Sequence, residues 1–436
     1  MKLKLHSNAG FDFGNSELDA YVNGVLIAQP NVFAVAGKNP WSDDDLDVKK
    51  NLSNIYDNMV VSIISGAVRT NMYAVGRHAL KTYGENVTSL YVKGNNAKSD
   101  QEVPYVSSLA VLAAQAVEEA NRNGSNVNEI ELTVDMATAL PVKQHMPANI
   151  DTMKKKFMDD THTVSVHLGL TKKVDVKIKF EYVHILQEGT PPVFALQMDQ
   201  NGDWRTGGYN PASSENDLFS EFAKIYDLPA DTDGSYLDGK NLLHVDLGDG
   251  TLDDPFTRGD SVDKDFCSGV NHGVGHAIAD SIDDLLDLAP HVFNSLSRQQ
   301  YSDILRSQYS GRKHKFLPEA LSAFRPHCEN QVNQILKHIA DQILKIGANE
   351  IDIVPVYGGG SILMRDYLEP KLKQLCDDSR IQLFYVPAKY AVTLNAEGLD
   401  FFVRSDIYKA LKSQAVTVAA PIAEKTKKQI AAAKEQ

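Results

Sequence analysis

The chain has 436 residues, of which 43% are hydrophobic and 23% are charged. It is too long for one ordinary core, so we expect a globular protein of two or three domains. Its formal net charge of -13 disfavours extended direct binding to nucleic acid, because an acidic surface repels the phosphate backbone.

Three features indicate a cytoplasmic protein without a membrane segment. The three cysteines, Cys267, Cys328 and Cys376, suit neither a disulfide framework nor a zinc site, and they fit a reducing compartment. The N-terminus lacks the apolar core and the cleavage site of a signal peptide. No stretch approaches the ~18 consecutive apolar residues that a membrane span needs.

The first half is predicted to begin with a β-meander and to continue with strands and a helix. Phe11–Gly14 ends a strand, a tight turn follows, and Glu17–Val22 is the returning strand. Asn23-Gly24 is a second hairpin signal. The later elements are half-buried strands at 130–136 and 174–181 and an alanine-rich helix at 107–123.

The second half is predicted to repeat this order. Its elements are a strand at 242–247, a turn at 248–250, a helix at 333–346, a strand at 351–356 that runs into Gly358–Gly360, and a strand at 381–386. Residues 199–241, rich in Gly, Asn, Asp, Ser and Pro, are predicted to be an insertion or a connection between lobes. The fold class is therefore α/β with two similar lobes.

Two segments, Phe11–Ser16 and His244–Asp253, share a strand, an aspartate, an apolar residue and a glycine turn. Glycine lets the backbone approach a phosphate closely and direct N–H groups at its oxygens. The aspartate at the strand end can face hydrated Mg²⁺, which prefers few carboxylates and several waters. One such turn is more often only a hairpin, but two of them followed by Gly358–Gly360 favour a nucleotide site.

With these motifs, the chain resembles the superfamily of actin, Hsp70 and the sugar kinases. Within it, the chain is most similar to the bacterial actin-like plasmid segregation proteins of the ParM type. Further stretches in the family's order carry this likeness: Tyr73–Leu80, Val103–Val106, Ala139–Val142 and Leu394–Leu399. The resemblance implies a two-lobed actin-like fold, each lobe a mixed β-sheet flanked by helices. ATP, with GTP as the alternative, and Mg²⁺ would lie in the cleft between the lobes.

The resemblance also implies domain boundaries. Domain I, with the first phosphate hairpin, would cover residues 1–241, and domain II, with the second hairpin and the adenosine turn, 242–390. A helix at 391–411 would return to domain I. Residues 412–436, with lysines at 425, 427, 428 and 434, are predicted to be a flexible, solvated tail rather than a binding arm.

Carried over by position, the resemblance assigns roles to single residues. Asp12 would face Mg²⁺ through water, and Asp246 would orient the attacking water or the metal. Glu188 would position water; the alternative is an exposed loop carboxylate. The other residues would hold the nucleotide: Gly14, Asn15 and Ser16 at the terminal phosphates, Gly248, Gly250 and Thr251 in the second phosphate loop, and Gly358, Gly359 and Gly360 at the purine and ribose.

Asp249 departs from the family pattern, which has glycine in the middle of the second turn. A carboxylate beside phosphates is electrostatically costly unless it points at the metal or outward to water. His272 and His276 have a helical metal-ligand spacing, but they lack a third ligand, so we do not expect a zinc site. The chain has neither a P-loop motif nor a Rossmann glycine motif.

The sequence thus predicts an ATPase that assembles into dynamic filaments for plasmid DNA segregation. Its partners would be further copies of itself and a DNA-binding adaptor of the ParR type, so that plasmid DNA is contacted only indirectly. Two alternatives stay open at this point. One is a small-molecule kinase of the same fold, which needs a catalytic base and a second substrate; the other is a nucleotide-binding protein that does not polymerise.

Overall fold

The computed structural model describes residues 2–84, 86–90, 96–125, 127–213, 215–259, 261–293 and 295–415. Two β-sheets dominate these residues, a ten-stranded sheet within residues 2–187 and an eight-stranded sheet within residues 241–385. Helices flank both sheets, so the chain has two α/β lobes, as the sequence predicts. None of the described helices combines the length and the hydropathy that crossing a bilayer requires.

The first sheet is mixed. Its strands are β1 (Lys2–Phe13), β2 (Glu17–Val22), β3 (Val25–Pro30), β4 (Val32–Val35), β5 (Val60–Ile64), β6 (Asn71–Val75), β7 (Thr88–Ser89), β8 (Glu129–Leu140), β9 (His162–His167) and β10 (Lys173–Gln187), in the order β3-β2-β1-β8-β10-β9-β5-β6-β4-β7. The long strands β1, β8 and β10 are parallel. Since parallel strands have their carboxyl ends at the same edge of a sheet, β1 brings Asp12 and β10 brings Glu188 to that edge.

The second sheet repeats this principle. Its strands are β11 (Asn241–Leu243), β12 (Val245–Leu247), β13 (Leu252–Asp254), β14 (Phe256–Arg258), β15 (Ser261–Val262), β16 (Ser268–Val270), β17 (Ile353–Tyr357) and β18 (Gln382–Tyr385). β12 and β18 both run parallel to β17. The carboxyl ends of β12 and β17 therefore place Asp246 beside Gly358.

The helices pack on both faces of the sheets. They are α1 (Leu46–Ser53), α2 (Arg77–Tyr83), α3 (Val103–Arg122), α4 (Pro147–Met158), α5 (Pro191–Gln197), α6 (Ser220–Ile225), α7 (Val274–Asp280), α8 (Ile282–Leu288), α9 (Arg298–Arg306), α10 (Leu317–Ile346), α11 (Gly359–Asp378), α12 (Ala388–Ala391), α13 (Leu394–Arg404) and a helix at 406–415. Alanine, valine and leucine let α3 be buried along almost its whole length in the first core. α10 instead buries a stripe at helical spacing, with Val332, Ile335 and Ile339, in the second core.

The predicted elements agree with the structure, with shifts in their bounds. The meander is confirmed as β1–β3. The strand predicted at 242–247 is divided at His244, whose backbone N–H donates to the Pro255 carbonyl at 3.0 Å. The helix predicted at 333–346 is the second half of α10, because the apolar stripe begins a further four turns upstream.

The predicted domain boundaries stay a prediction. Of the predicted tail, residues 416–436 and their lysines lie outside the described residues. Residues 412–415 continue the last helix. Lys412 holds this helix on the first sheet, since it donates to Asp135 at 2.7 Å and to Glu181 at 2.6 Å.

A buried ion pair attaches α13 to residues 188–240, the segment that lies between the two sheets along the chain. The guanidinium of Arg205 is fully buried and lies 2.6 Å from a carboxylate oxygen of Glu397 on α13. Arg205 also donates to the carbonyls of Ala195, at the end of α5, and of Gly207. Because a buried charge is tolerated only with a partner, each residue of this pair depends on the other.

We therefore expect Arg205→Met to destabilise the protein by about 3–5 kcal/mol, because it leaves Glu397 buried without its counter-charge. The double variant Arg205→Met/Glu397→Leu should recover part of this loss. Lys409→Met, which removes an exposed ion pair with Asp406, should cost about 1 kcal/mol or less. Urea unfolding measures all three; equal losses for Arg205→Met and Lys409→Met would contradict the expected role.

Candidate functional site

A cleft between the two sheets gathers the predicted site residues. From the first lobe come Asp12, Gly14, Asn15, Ser16 and Glu188, and from the second come Asp246, Gly248, Thr251, Gly358, Gly359 and Gly360. Gly250 is the one predicted site residue that does not line the cleft. The structure thus brings together residues that are up to 348 positions apart (360 minus 12).

The first turn, between β1 and β2, has its carbonyls fixed on the outer side. The amide Nδ2 of Asn31 donates to the Gly14 carbonyl at 2.7 Å, and the backbone N–H of Asn31 donates to the Ser16 carbonyl at 3.0 Å. Among the described residues, the backbone N–H groups of Asn15 and Ser16 have no acceptor. These two donors are therefore available to a ligand in the cleft.

The second turn, between β12 and β13, is held in the same way by the start of α7. The carbonyls of residues 248–250 accept hydrogen bonds from the N–H groups of residues 273–275, at 2.6–3.3 Å. A side chain at Gly275 would place its Cβ 2.7 Å from the Asp249 carbonyl oxygen, so this close contact requires glycine. His276 completes the contact, with Nε2 at 3.1 Å from the Gly250 carbonyl.

This contact explains the segment around His272 and His276 without a metal. In the described part of the chain, the one cluster with metal-ligand spacing, His6, Asp135 and Glu181, does not include these histidines. The two glycines between them serve the backbone contact with the second turn. No acceptor for the N–H groups of Asp249 and Gly250 is found among the described residues, which leaves these donors free as in the first turn.

The third turn joins β17 to α11 through Gly358. Gly358 has φ of +90°, and a Cβ there would lie 2.5 Å from the Leu247 carbonyl and 2.8 Å from Asp246 Oδ1. Glycine is thus required both by the backbone conformation and by the approach of β12. α11 begins at Gly359, so its first N–H groups, which have no intrahelical partner, lie at the cleft. Three turns from two lobes therefore offer backbone donors to the same space, which is an arrangement for binding anions.

Carboxylates line the opposite side of this space. In both hairpins, the first aspartate pairs directly across the strands with a second one seven residues later: Asp12 with Asp19, and Asp246 with Asp253. Opposite residues of an antiparallel pair lie on the same face, with Cβ atoms about 4.5–5.5 Å apart, and like charges there are destabilising. All four side chains line the cleft and are largely buried.

Burial raises the pKa of Asp12 to about 7, and the nearby Glu188 adds to this shift. The pKa of Asp253 is likewise raised to about 7, first by burial and then by Glu188. Burial also raises the pKa of Asp246 well above its usual value; the hydrogen bond from Asn395 opposes this, and the neighbouring carboxylates reinforce it. The cleft therefore holds more negative charge than its own cations balance.

Lys98 is the buried cation of this cluster. Its Nζ pairs with Oε1 of Glu188, and both side chains are largely buried. Although burial alone lowers the pKa of Lys98, the carboxylates of Glu188, Asp12 and Asp253 raise it above its usual value. Glu188 is only 9% exposed, so its alternative interpretation as an exposed loop carboxylate is wrong.

Two arginines of α9 pair with carboxylates that line the cleft. Arg298, at the start of the helix, pairs with Asp249 at 3.0 Å, and the Asp249 side chain is 11% exposed. Asp249 therefore points neither outward to water nor freely into the cleft, because Arg298 neutralises it. Arg306, at the end of the helix, pairs with Glu17 on β2 at 3.0 Å and so joins the two lobes across the cleft.

Six residues at or near the site have no role assigned from the sequence: Lys98, Asp19, Asp253, Asn395, Arg298 and Arg306. The two aspartates could have been found, because a predicted hairpin pairs residues across its turn. Asn395 lies within the stretch Leu394–Leu399 that supports the resemblance, but that pattern does not indicate its hydrogen-bond partner. Lys98 and the two arginines have no such local signal: the capping box marks the start of α9, but the contacts of these side chains depend on the tertiary fold.

The raised pKa values predict a pH effect on stability. Between the unfolded value, about 4, and the folded value, about 7, the folded state retains protons on Asp12 and Asp253 that the unfolded state releases. Stability from these groups is therefore lost as pH rises through this window. We expect the Tm of Asp12→Asn/Asp253→Asn, relative to that of the ligand-free wild type, to rise from pH 5 to pH 8. A Tm difference that is constant with pH would contradict this.

No protein-family model and no curated protein matches the chain in sequence. Solved structures do match it in fold. The actin-like protein Alp7A superposes with a TM-score of 0.63 at 17% identity, covering 96% of this chain and 100% of that chain. A 15-stranded ParM filament from Clostridium botulinum gives 0.59 at 15% identity, covering 92% and 99%. Bacillus thuringiensis ParM with AMPPNP gives 0.52 at 16% identity, covering 91% and 98%.

At these identities the likeness concerns the fold, and it extends over nearly the whole chain. The order of strands and the position of the cleft follow from the chain's own hydrogen bonds and register. The chain therefore has the two-lobed fold of the actin-like proteins, ParM among them, as the resemblance in its sequence predicts.

Proposed function

We propose that this chain is an actin-like ATPase that assembles into nucleotide-dependent filaments and segregates plasmid DNA through an adaptor. The observation that supports this most is the convergence of three backbone turns and a carboxylate cluster in one interlobe cleft. Free N–H groups suit the phosphate oxygens, and the buried carboxylates suit a divalent cation that accompanies them.

The phosphate contacts would be divided between the lobes. Asn15 and Ser16 of the first turn and Asp249 of the second would donate backbone N–H groups to the terminal phosphates. Gly358, Gly359 and Gly360 would lie against the ribose and purine, as proposed from the sequence. Bacillus thuringiensis ParM structures contain ADP and AMPPNP, which supports an adenine nucleotide, with GTP as the alternative.

The carboxylates fit Mg²⁺. Asp246 and Asp253 are buried and Asp12 is largely so, the pKa values of all three are raised, and Lys98 alone among the buried residues of the cluster offsets their charge. Asp12 and Asp246 would hold the ion largely through water, with Asp253 beside them. Bound there, Mg²⁺ would neutralise phosphate charge and polarise the phosphoryl group.

Two side chains would act on the water that attacks the phosphate. Glu188 pairs with Lys98 through Oε1, and its second oxygen is available to accept a hydrogen bond from water. Asp246 lies across the cleft from it, at the end of β12. Since phosphoryl transfer to water depends mainly on positioning and on charge stabilisation, these residues need only orient the reactants.

Assembly and partners follow from the fold by analogy. The Clostridium botulinum relative is a filament, which supports self-assembly of this chain. In such a polymer, ATP would favour one arrangement of the lobes and its hydrolysis another, which is a shift of populations by differential contacts. The net charge of -13 supports an adaptor of the ParR type, rather than direct contact, as the link to plasmid DNA.

Nucleotide binding should stabilise both lobes together. A ligand at 100 times its Kd adds about 2.7 kcal/mol, which for a chain of this length corresponds to a rise in Tm of about 3 °C. We expect this rise with ATP and Mg²⁺, and a smaller one with adenosine, which lacks the phosphates. An unchanged Tm with saturating ATP, GTP and Mg²⁺ would exclude a nucleotide site in the cleft.

Removing one water-orienting carboxylate should slow the chemistry far more than it weakens binding. We expect Asp246→Asn and Glu188→Gln to lower kcat by about 100-fold or more, which is about 2.7 kcal/mol, with nucleotide Kd changed less than about threefold. Asp254→Asn is the control, because Asp254 is also a buried carboxylate, on the neighbouring strand β13, but it pairs with His338 at 2.9 Å and does not line the cleft.

The measurement is phosphate release together with light scattering in one sample. The slow variants should give filaments that persist after those of the wild type have disassembled. Wild-type rates in both variants would show that the catalytic residues are wrongly assigned. Hydrolysis by the wild type without any scattering would remove the filament proposal, and turnover that needs a second substrate would favour a kinase.

A further inference from the structure

Asn395, at the start of α13, touches the second lobe from a helix that packs on the first. Its amide Nδ2 donates to Oδ2 of Asp246 at 2.7 Å. α13 itself packs against β1, β2 and β8 of the first sheet and against α5. This hydrogen bond therefore runs from an element of the first lobe to a carboxylate at the end of β12 in the second.

The amide of Asn395 has a defined orientation at this hydrogen bond. Its NH₂ group faces the Asp246 oxygen that accepts the bond, so its carbonyl faces away. Oδ1 of Asn395 is buried, and no partner for it is found in the described part of the chain. Because Asn395 lines the cleft, a water or a hydroxyl of a bound ligand would supply the missing donor.

We propose that Asn395 is a positioning residue, which holds the carboxylate of Asp246 for hydrolysis and accepts a hydrogen bond from the bound ligand or its water. This rests on the proposed ATPase function. Since the bond joins α13 to the end of β12, it depends on the position of α13 relative to that strand. Hydrolysis is then coupled to the position of α13 through one side chain.

The test compares Asn395→Ala with Asn51→Ala. Asn51 is a matched control, because its Nδ2 also donates one hydrogen bond of 2.8 Å and its Oδ1 also lacks a partner among the described residues, but it lies in α1, away from the cleft. We expect Asn395→Ala to lower kcat by roughly 10- to 100-fold, the usual effect of losing a residue that orients a ligand, with nucleotide Kd within about threefold. Asn51→Ala should lower Tm but leave kcat unchanged.

A second readout needs neither turnover nor nucleotide. Electron paramagnetic resonance measures the binding of Mn²⁺ alone to the carboxylate cluster. Asn395→Ala should weaken Mn²⁺ binding at least threefold, because Asp246 is no longer held in its orientation. Asn51→Ala should not. If the wild type hydrolyses no nucleotide, the ATPase proposal fails, while Mn²⁺ binding still decides on Asn395. Unchanged Mn²⁺ affinity in Asn395→Ala, or equal losses of kcat and nucleotide affinity, would overturn the positioning role.

Discussion

The cleft brings together buried carboxylates that repel one another, and much of the structure serves to hold them there. Asp12 and Asp246 each lie directly opposite a second aspartate, and Glu188 lies close to both hairpins. Lys98 offsets part of this charge. A protein keeps such an arrangement only if the surrounding packing is strong enough, and strained charge of this kind is typical of functional sites. The two large cores, one in each lobe, provide that packing.

The second constraint is that the turns facing these carboxylates expose N–H groups. Each turn fixes its carbonyls on the outer side, through Asn31 in the first hairpin and through the start of α7 in the second. The donors left inside and the carboxylates opposite them are complementary to an anion with its cation. Neither the phosphates nor the cation alone would match all of these groups. Phosphates alone would add to the negative charge of the cleft, and a cation alone would leave the N–H groups without acceptors.

The fold and most of the cleft could be predicted from the sequence, because they depend on local patterns. Glycine turns at the ends of strands located Asp12, Asp246 and Gly358, and their order along the chain indicated two lobes. What the sequence did not reveal depends on contacts between distant segments. The partner of Glu188 is Lys98, 90 positions away, and the partner of Asp249 is Arg298, on a helix whose capping box marks where it starts but does not indicate what Arg298 contacts. Asp249 is the clearest example of what the sequence does not show. A carboxylate beside a phosphate-binding turn is electrostatically costly, and only the structure shows that Arg298 offsets its charge.

We infer that the cleft binds a nucleotide and a divalent cation together, so that the cation offsets the charge of the phosphates and of the carboxylates. Isothermal titration calorimetry of ATP with Mg²⁺, and of ATP with EDTA, measures this coupling. The excess of negative charge predicts one ATP per chain with Mg²⁺ and binding weaker by about 100-fold or more without it, since ~2.7 kcal/mol is a modest repulsion between buried charges and phosphates. Equal affinity for ATP with and without the metal would show that nucleotide and cation do not bind as a unit.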